Sequence, residues 1–227
     1  MKNKRILDFY RNKRVVVYGS SGGLGQALCM ELSGIAAHLV LAGRNAEKLE
    51  ALQGRLQGHL QGPAEVWAVD GKELAARVQE SEVDGLIIAT GKTLYDQFCG
   101  AQDWQQVREL YGELLDVNFF TVLQLALDCL PCLRERKGFL HVCGSYACFF
   151  PVPYQAVYSA SKAALLSFVQ AVAREEEAEF GRSRVRGLLS ISLIGGMATD
   201  MYYQSNLYQQ FARFENLLIA SPQKVAV

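Results

Sequence analysis

Net charge is the first thing this chain lacks. Its 23 basic and 23 acidic side chains cancel over 227 residues, so nothing draws it as a whole toward nucleic acid or an anionic membrane. No run of apolar residues approaches the ~18 that cross a bilayer, and the basic start leads into no apolar signal segment. The expectation is a soluble cytoplasmic protein with neither nucleic acid nor membrane as partner. Six cysteines do not suggest a disulfide scaffold at this length. Cys129 and Cys132 form a CxxC that could be redox-active, but no second CxxC completes a zinc site. Pro131 and Cys132 should close an apolar helix, so structural thiols are the expectation. His38, His59 and His141 are scattered and read as structural, and no metal site is expected. Lys2, Lys4, Arg5, Arg11, Lys13 and Arg14 form a basic cluster, read as a solvated N-terminal arm over 1–13 rather than a phosphate-binding one.

What the chain does have is alternation. Strand-like runs fall at 14–19, 38–43, 64–70, 84–90, 138–144 and 184–192, nearly continuous in apolar residues, as parallel strands covered on both faces are. Helix patterns lie between them at 23–33, 45–57, 72–80, about 103–130, and 155–180. Such alternation predicts right-handed crossovers. The expected fold is α/β: a single doubly wound Rossmann-type domain over 1–227, with a parallel sheet of six or more strands and helices on both faces. No linker, low-complexity stretch or repeat divides it. Ser221-Pro222 starts a helix by its chemistry, with about a turn and a half to follow.

The first strand runs into GSSGGLG, residues 19–25, and then a helix pattern. Gly19 would allow the sharp turn, Gly23 would let a phosphate approach the backbone, and Gly25 would let the helix pack close. Ser20, Ser21 and Leu24 complete the turn, whose free N–H groups and helix dipole favour a pyrophosphate. The spacing is G-x-x-x-G-x-G rather than G-x-G-x-x-G. The second strand ends in LAGRN. No carboxylate stands between Leu39 and Ala46 to bind ribose hydroxyls, whereas Arg44, followed by Asn45, suits a 2′-phosphate. NADP(H) is therefore expected over NAD(H). Asp70, closing the third strand, either bonds the adenine amino group or caps the next helix.

Tyr158 and Lys162 are four residues apart in a helix pattern and share a face. A nearby ammonium would lower the tyrosine pKa, making it a usable proton donor to a carbonyl oxygen. Ser145 ends the fifth strand, where a parallel sheet faces its ligand crevice, and could bond the same oxygen.

In these motifs, from the GSSGGLG turn to about Thr199, the chain resembles the short-chain dehydrogenase/reductase family. The resemblance implies an active site of Asn118, Ser145, Tyr158 and Lys162. Asn118 would hold a water linking Lys162 to solvent, Lys162 would also hold the nicotinamide ribose, Ser145 would orient the carbonyl, and Tyr158 would transfer the proton. Where the family carries Asn-Asn-Ala-Gly, this chain has Ile88, Ala89, Thr90 and Gly91; Thr90 and Gly91 are expected beside the cofactor. An enlarged loop is expected near Lys92–Asp103. After the sixth strand the usual proline is lost, leaving Gly195 and Thr199 to contact the carboxamide. A lid over about 196–220, rich in Tyr and Phe, would cover the substrate or merely pack on the body. The family's last helix and strand are expected to be missing. The resemblance implies an oxidoreductase moving hydride between NADP(H) and a carbonyl/secondary alcohol pair, with a hydrophobic or acyl-bearing ketone as substrate. It also implies a homodimer or homotetramer through the long helices. A non-catalytic NADP(H)-binding sensor or interaction module is the alternative.

Overall fold

Five of the six strands begin within a residue of the place their apolar runs predict. The computed structural model describes residues 8–94, 103–185 and 187–195. Among these, the strands are β1 (Arg14–Tyr18), β2 (His38–Gly43), β3 (Ala64–Ala68), β4 (Gly85–Ile88), β5 (Phe139–Ser145) and β6 (Leu189–Ile194). They form one parallel sheet in the order β3-β2-β1-β4-β5-β6. The helices are α1 (Gly23–Ser33), α2 (Ala46–Leu56), α3 (Gly71–Glu80), α4 (Trp104–Leu115), α5 (Thr121–Glu135), α6 (Ala156–Phe180) and the short α7 (Arg182–Val185).

Side chains alternate across the sheet, and each face has its own core. Val16 and Tyr18 of β1 pack with Leu74 and Val78 of α3, Leu125 and Leu133 of α5, and Leu165 of α6. Val15 and Val17 face the other way, onto Cys29 and Leu32 of α1 and Leu49, Leu52 and Leu56 of α2. The chain winds outward from β1 through β3, then crosses back to β4 on the other side of β1. The crevice of a doubly wound sheet opens at that reversal, beyond the carboxyl ends of β1 and β4.

Three expectations need correction. The sixth strand begins at Leu189, not at 184, because Gly187 takes φ +78°, which breaks an extended run; α7 occupies the predicted start. The helix expected over 103–130 is two helices joined by a π turn at Asp116–Phe120, and it continues through Pro131 to Glu135. Proline lacks an N–H and crowds the carbonyl four residues back; here both Pro131 and Leu127 face solvent, where water can take up the freed carbonyl. Finally, the stretch Val107–Glu135 and α6 are long and apolar enough by composition to cross a membrane, which a search for unbroken apolar runs overlooks. Each instead lays one face on the sheet, α5 through Val122, Ala126 and Leu133, α6 through Leu165 and Val169.

The five described cysteines are free. Burial pushes the Cys129 thiol up to about 12 and raises that of Cys132, and Cys132 Sγ donates to the Cys129 carbonyl. Protonated, half-hidden thiols suit packing rather than exchange. His141 lies between Ser190 and Ser192 at 2.8 and 3.1 Å, tying β5 to β6.

Candidate active site

A cleft of about 540 Å³ opens at the carboxyl ends of the strands, within the size range of small-molecule sites. Its floor is the glycine turn. Gly19 has φ +94°, and a Cβ there would meet the Ala89–Thr90 backbone at 2.9 Å. A Cβ on Gly25 would stand 2.1 Å from the Gly19 carbonyl oxygen. Gly25 therefore lets α1 close onto the turn itself, and the first-turn N–H groups of α1 face the cleft without intrahelical partners. Gly23 and Leu24 line the opening, as does Ser21. Ser20 does not: it is buried, donates to the Val17 carbonyl and accepts from Cys29, bracing the turn from beneath.

At the end of β2, Arg44 lines the cleft and so does Lys48, one helical turn into α2. Asn45 turns instead to its own helix, where its Oδ1 accepts from the Lys48 N–H at 2.9 Å and caps α2. Asp70 also lines the cleft while forming a capping box with Glu73, Oδ1 accepting at 2.9 Å from the Glu73 N–H. Its other oxygen stays available, so the two readings of Asp70 are compatible.

Ser145, Tyr158 and Lys162 line the other end. Ser145 ends β5 and its Oγ accepts from the Ala147 N–H at 3.2 Å, fixing the 3₁₀ turn that follows. Tyr158 and Lys162 lie on the first turns of α6. That helix is stapled to the preceding loop by the Val152 N–H, which donates to Ser159 Oγ at 3.3 Å. Lys162 Nζ stands 5.7 Å from the Tyr158 ring centroid. Burial is the dominant influence on both. It raises the Tyr158 pKa, opposed by a hydrogen bond with Ser145, and it brings Lys162 down to about 8. In the ligand-free chain the direction of the Tyr158 shift is therefore set by burial and not by the Lys162 ammonium.

Asn118 sits in the π turn, 1% exposed. Its Oδ1 accepts from the Lys92 N–H and its Nδ2 donates to the Lys92 carbonyl, both at 2.8 Å, with a further contact to Ser161 Oγ at 3.2 Å. Both amide hydrogens are spent, so a water at Asn118 would be held by the main chain or by the second lone pair of Oδ1. Gly91 lies above this group: a Cβ on it would sit 3.6 Å from Lys162 Nζ and 3.7 Å from Asn118 Oδ1. Thr90 lines the cleft with a buried hydroxyl that has no partner among the described residues. Gly195 lines it too, whereas Thr199 and the lid over 196–220 lie outside the described residues, as does most of the loop expected near Lys92–Asp103.

Sequence reasoning missed Tyr18, Lys48, Gly71, Val117, Thr121 and Cys143, all of which line the cleft. Lys48 had a signal, a cation three residues past a helix cap. The others face the cleft through packing that no spacing reveals.

The cleft fits a nicotinamide dinucleotide. Two cations flank the α2 end, unpaired N–H groups face the middle, and a serine, a tyrosine and a buried lysine converge at the far end. Comparison with known proteins agrees. A family model described as short chain dehydrogenase matches residues 13–202. The human protein named dehydrogenase/reductase SDR family member 2, mitochondrial, is 28% identical over 172 residues, 72% of this chain and 60% of that protein. The 11-beta-hydroxysteroid dehydrogenase B of Sesamum indicum is 27% identical over 207 residues, 84% of this chain and 52% of that one. The chain thus spans little more than half the length of these curated relatives. Among solved structures, a 3-oxoacyl (acyl-carrier-protein) reductase from Agrobacterium tumefaciens with NADP bound superposes with TM-score 0.80 at 22% identity, covering 99% of this chain and 88% of that one. An L-sorbose reductase from Gluconobacter frateurii complexed with NADPH and L-sorbose gives 0.77 at 21%, covering 96% and 89%.

Proposed function

This chain belongs to the short-chain dehydrogenase family, and on that premise we propose that it is an NADP(H)-dependent oxidoreductase interconverting a ketone and a secondary alcohol. The observation that carries the reading is the convergence of Ser145, Tyr158 and Lys162 at one end of a cleft whose other end holds the glycine turn, Arg44 and Lys48. A binding module without turnover would have no use for the first three.

The N–H groups at the start of α1 would hold the pyrophosphate of a nicotinamide dinucleotide, which would supply the hydride at the Ser145 end. The rest is the work of the chain. Ser145 holds the substrate oxygen beside Tyr158, and the Tyr158 phenol gives that oxygen its proton as the carbonyl carbon gains the hydride. In the reverse direction Tyr158 takes the proton back. Lys162, buried against Gly91, holds the nicotinamide ribose and stabilises the phenolate left behind. The Asn118–Lys92 clamp keeps the wall behind Lys162 in place.

Arg44 and Lys48 support NADP(H) over NAD(H), since no carboxylate opposes a 2′-phosphate there. The substrate we infer is hydrophobic or acyl-bearing. Tyr146, Phe149 and Phe150, which follow Ser145, are half or more exposed, and relatives named for steroid and 3-oxoacyl substrates accord with that. The exposed Phe120 and Leu127 give the helices a face suited to pairing two copies.

Two measurements test the reading. NADPH should raise the melting temperature more than NADH at equal concentration, and Arg44→Ala should erase the difference. Tyr158→Phe should abolish ketone reduction while leaving NADPH binding intact; retained turnover would refute the assignment.

A further inference from the structure

β1 ends in Tyr18, whose ring packs in the core shared with α3 and α5 and whose residue lines the cleft. It is 5% exposed, and its hydroxyl donates no hydrogen bond among the described residues. The residue beside the hydroxyl is Gly71. A Cβ there would stand 3.9 Å from Tyr18 Oη and 3.1 Å from Thr121 Cγ2. Asp70 and Arg44 act on the phenol with opposite sign, the carboxylate opposing its ionisation and the guanidinium favouring it, while burial keeps it protonated. A protonated phenol with an unused donor therefore faces a cleft between a carboxylate and a cation. It lies toward Gly71 and Thr121, on the α3 and α5 side of the sheet, whereas Lys48 belongs to α2 on the opposite face.

We propose that Tyr18 is a specificity residue for the nucleoside of the dinucleotide, its hydroxyl donating a hydrogen bond to an acceptor of the adenine–ribose unit. The inference rests on the dinucleotide reading above. It divides the labour at this end of the cleft: Arg44 and Lys48 hold the 2′-phosphate, and Tyr18 holds the nucleoside regardless of that phosphate.

The test is calorimetric titration of the full chain with NADPH, adenosine 2′,5′-bisphosphate, adenosine 5′-diphosphate and nicotinamide mononucleotide. Tyr18→Phe should weaken the first three alike, by about 3- to 10-fold, the scale of one net hydrogen bond, and leave the mononucleotide unchanged. Arg44→Ala should weaken only the two ligands bearing a 2′-phosphate. Thermal melting should show that Tyr18→Phe and Arg44→Ala fold as the wild type does. Unchanged affinity in Tyr18→Phe, or a loss confined to the 2′-phosphate ligands, overturns the proposal and leaves the dinucleotide reading standing. A wild-type chain that binds none of the adenosine ligands overturns both.

Discussion

Asn118 grips the main chain of Lys92 with both atoms of its amide, at 2.8 Å each way. The grip joins the π turn between α4 and α5 to the segment leaving β4. Lys92 Nζ adds a 2.6 Å ion pair to Glu113 of α4, so the main chain of one residue is tied to the π turn and its side chain to the helix before it. Asn118→Ala leaves the part-buried N–H and carbonyl of Lys92 without partners. It should lower stability by about 1–3 kcal/mol, measured by urea unfolding. Asn118→Asp should be as harmful, because a carboxylate oxygen would replace the donor that faces the Lys92 carbonyl.

Gly25→Ala should be worse than an ordinary helix substitution, although alanine is the better helix former. The added methyl would lie 2.1 Å from the Gly19 carbonyl oxygen, and that atom is backbone that cannot swing aside. We expect a loss of at least about 2 kcal/mol and a larger loss of NADPH affinity, read by thermal melting with and without ligand.

Lys162 supplies a pH dependence with a definite sign. Its pKa falls to about 8 in the folded chain through burial, against about 10.4 when unfolded. Between these values the unfolded chain binds more protons, so stability rises with pH across that window. The penalty of the buried charge is fully present below about pH 8 and gone above about pH 10.5. Lys162→Met removes it, so the melting temperature of the ligand-free wild type should gain on that of Lys162→Met from pH 8 to 10. Parallel curves would show that burial does not lower the Lys162 pKa and that the amine stays charged in the folded chain across this window.

Arg134 and Glu176 link α5 to α6 by two contacts of 2.9 and 2.7 Å. Both side chains are 14% exposed, and the guanidinium lies 3.6 Å from the Phe180 ring centroid. Glu176→Gln leaves a largely buried cation without its counter-charge. The expected loss is about 1–3 kcal/mol, between the surface and buried extremes, and it should shrink little in 0.5 M salt. The double variant Arg134→Met/Glu176→Met, which leaves neither charge behind and keeps the apolar stems, should cost less.

How much of this could be read from the chain differs by element. Strands β1, β2 and β4 were legible because each is buried on both faces, and β3 and β5 because each still reads as an apolar run between turn residues. The glycine turn was legible from its place between β1 and α1, and the Ser145–Tyr158–Lys162 set from its order. The start of β6 was not, since Val185 and Leu188 are as apolar as a strand and only the positive φ of Gly187 separates them from it. Ser20 and Asn45 belong to the right loops but point away from the cleft, one into the core and one onto its own helix. Spacing places a residue in a loop and leaves its rotamer to packing. The π turn had no signature, because a single extra residue in a helix leaves the apolar pattern on either side almost unchanged.

The contact of Gly25 with Gly19 bears on the thermodynamics of ligand capture. A turn held by backbone against backbone, with Ser20 hydrogen-bonded beneath it, has few conformations to surrender when an anion arrives. Binding at such a site loses little chain entropy, so the affinity of the phosphate groups depends chiefly on exchanging their water for N–H donors already in place. Loosening the turn would leave every contact in the bound state intact and still weaken binding.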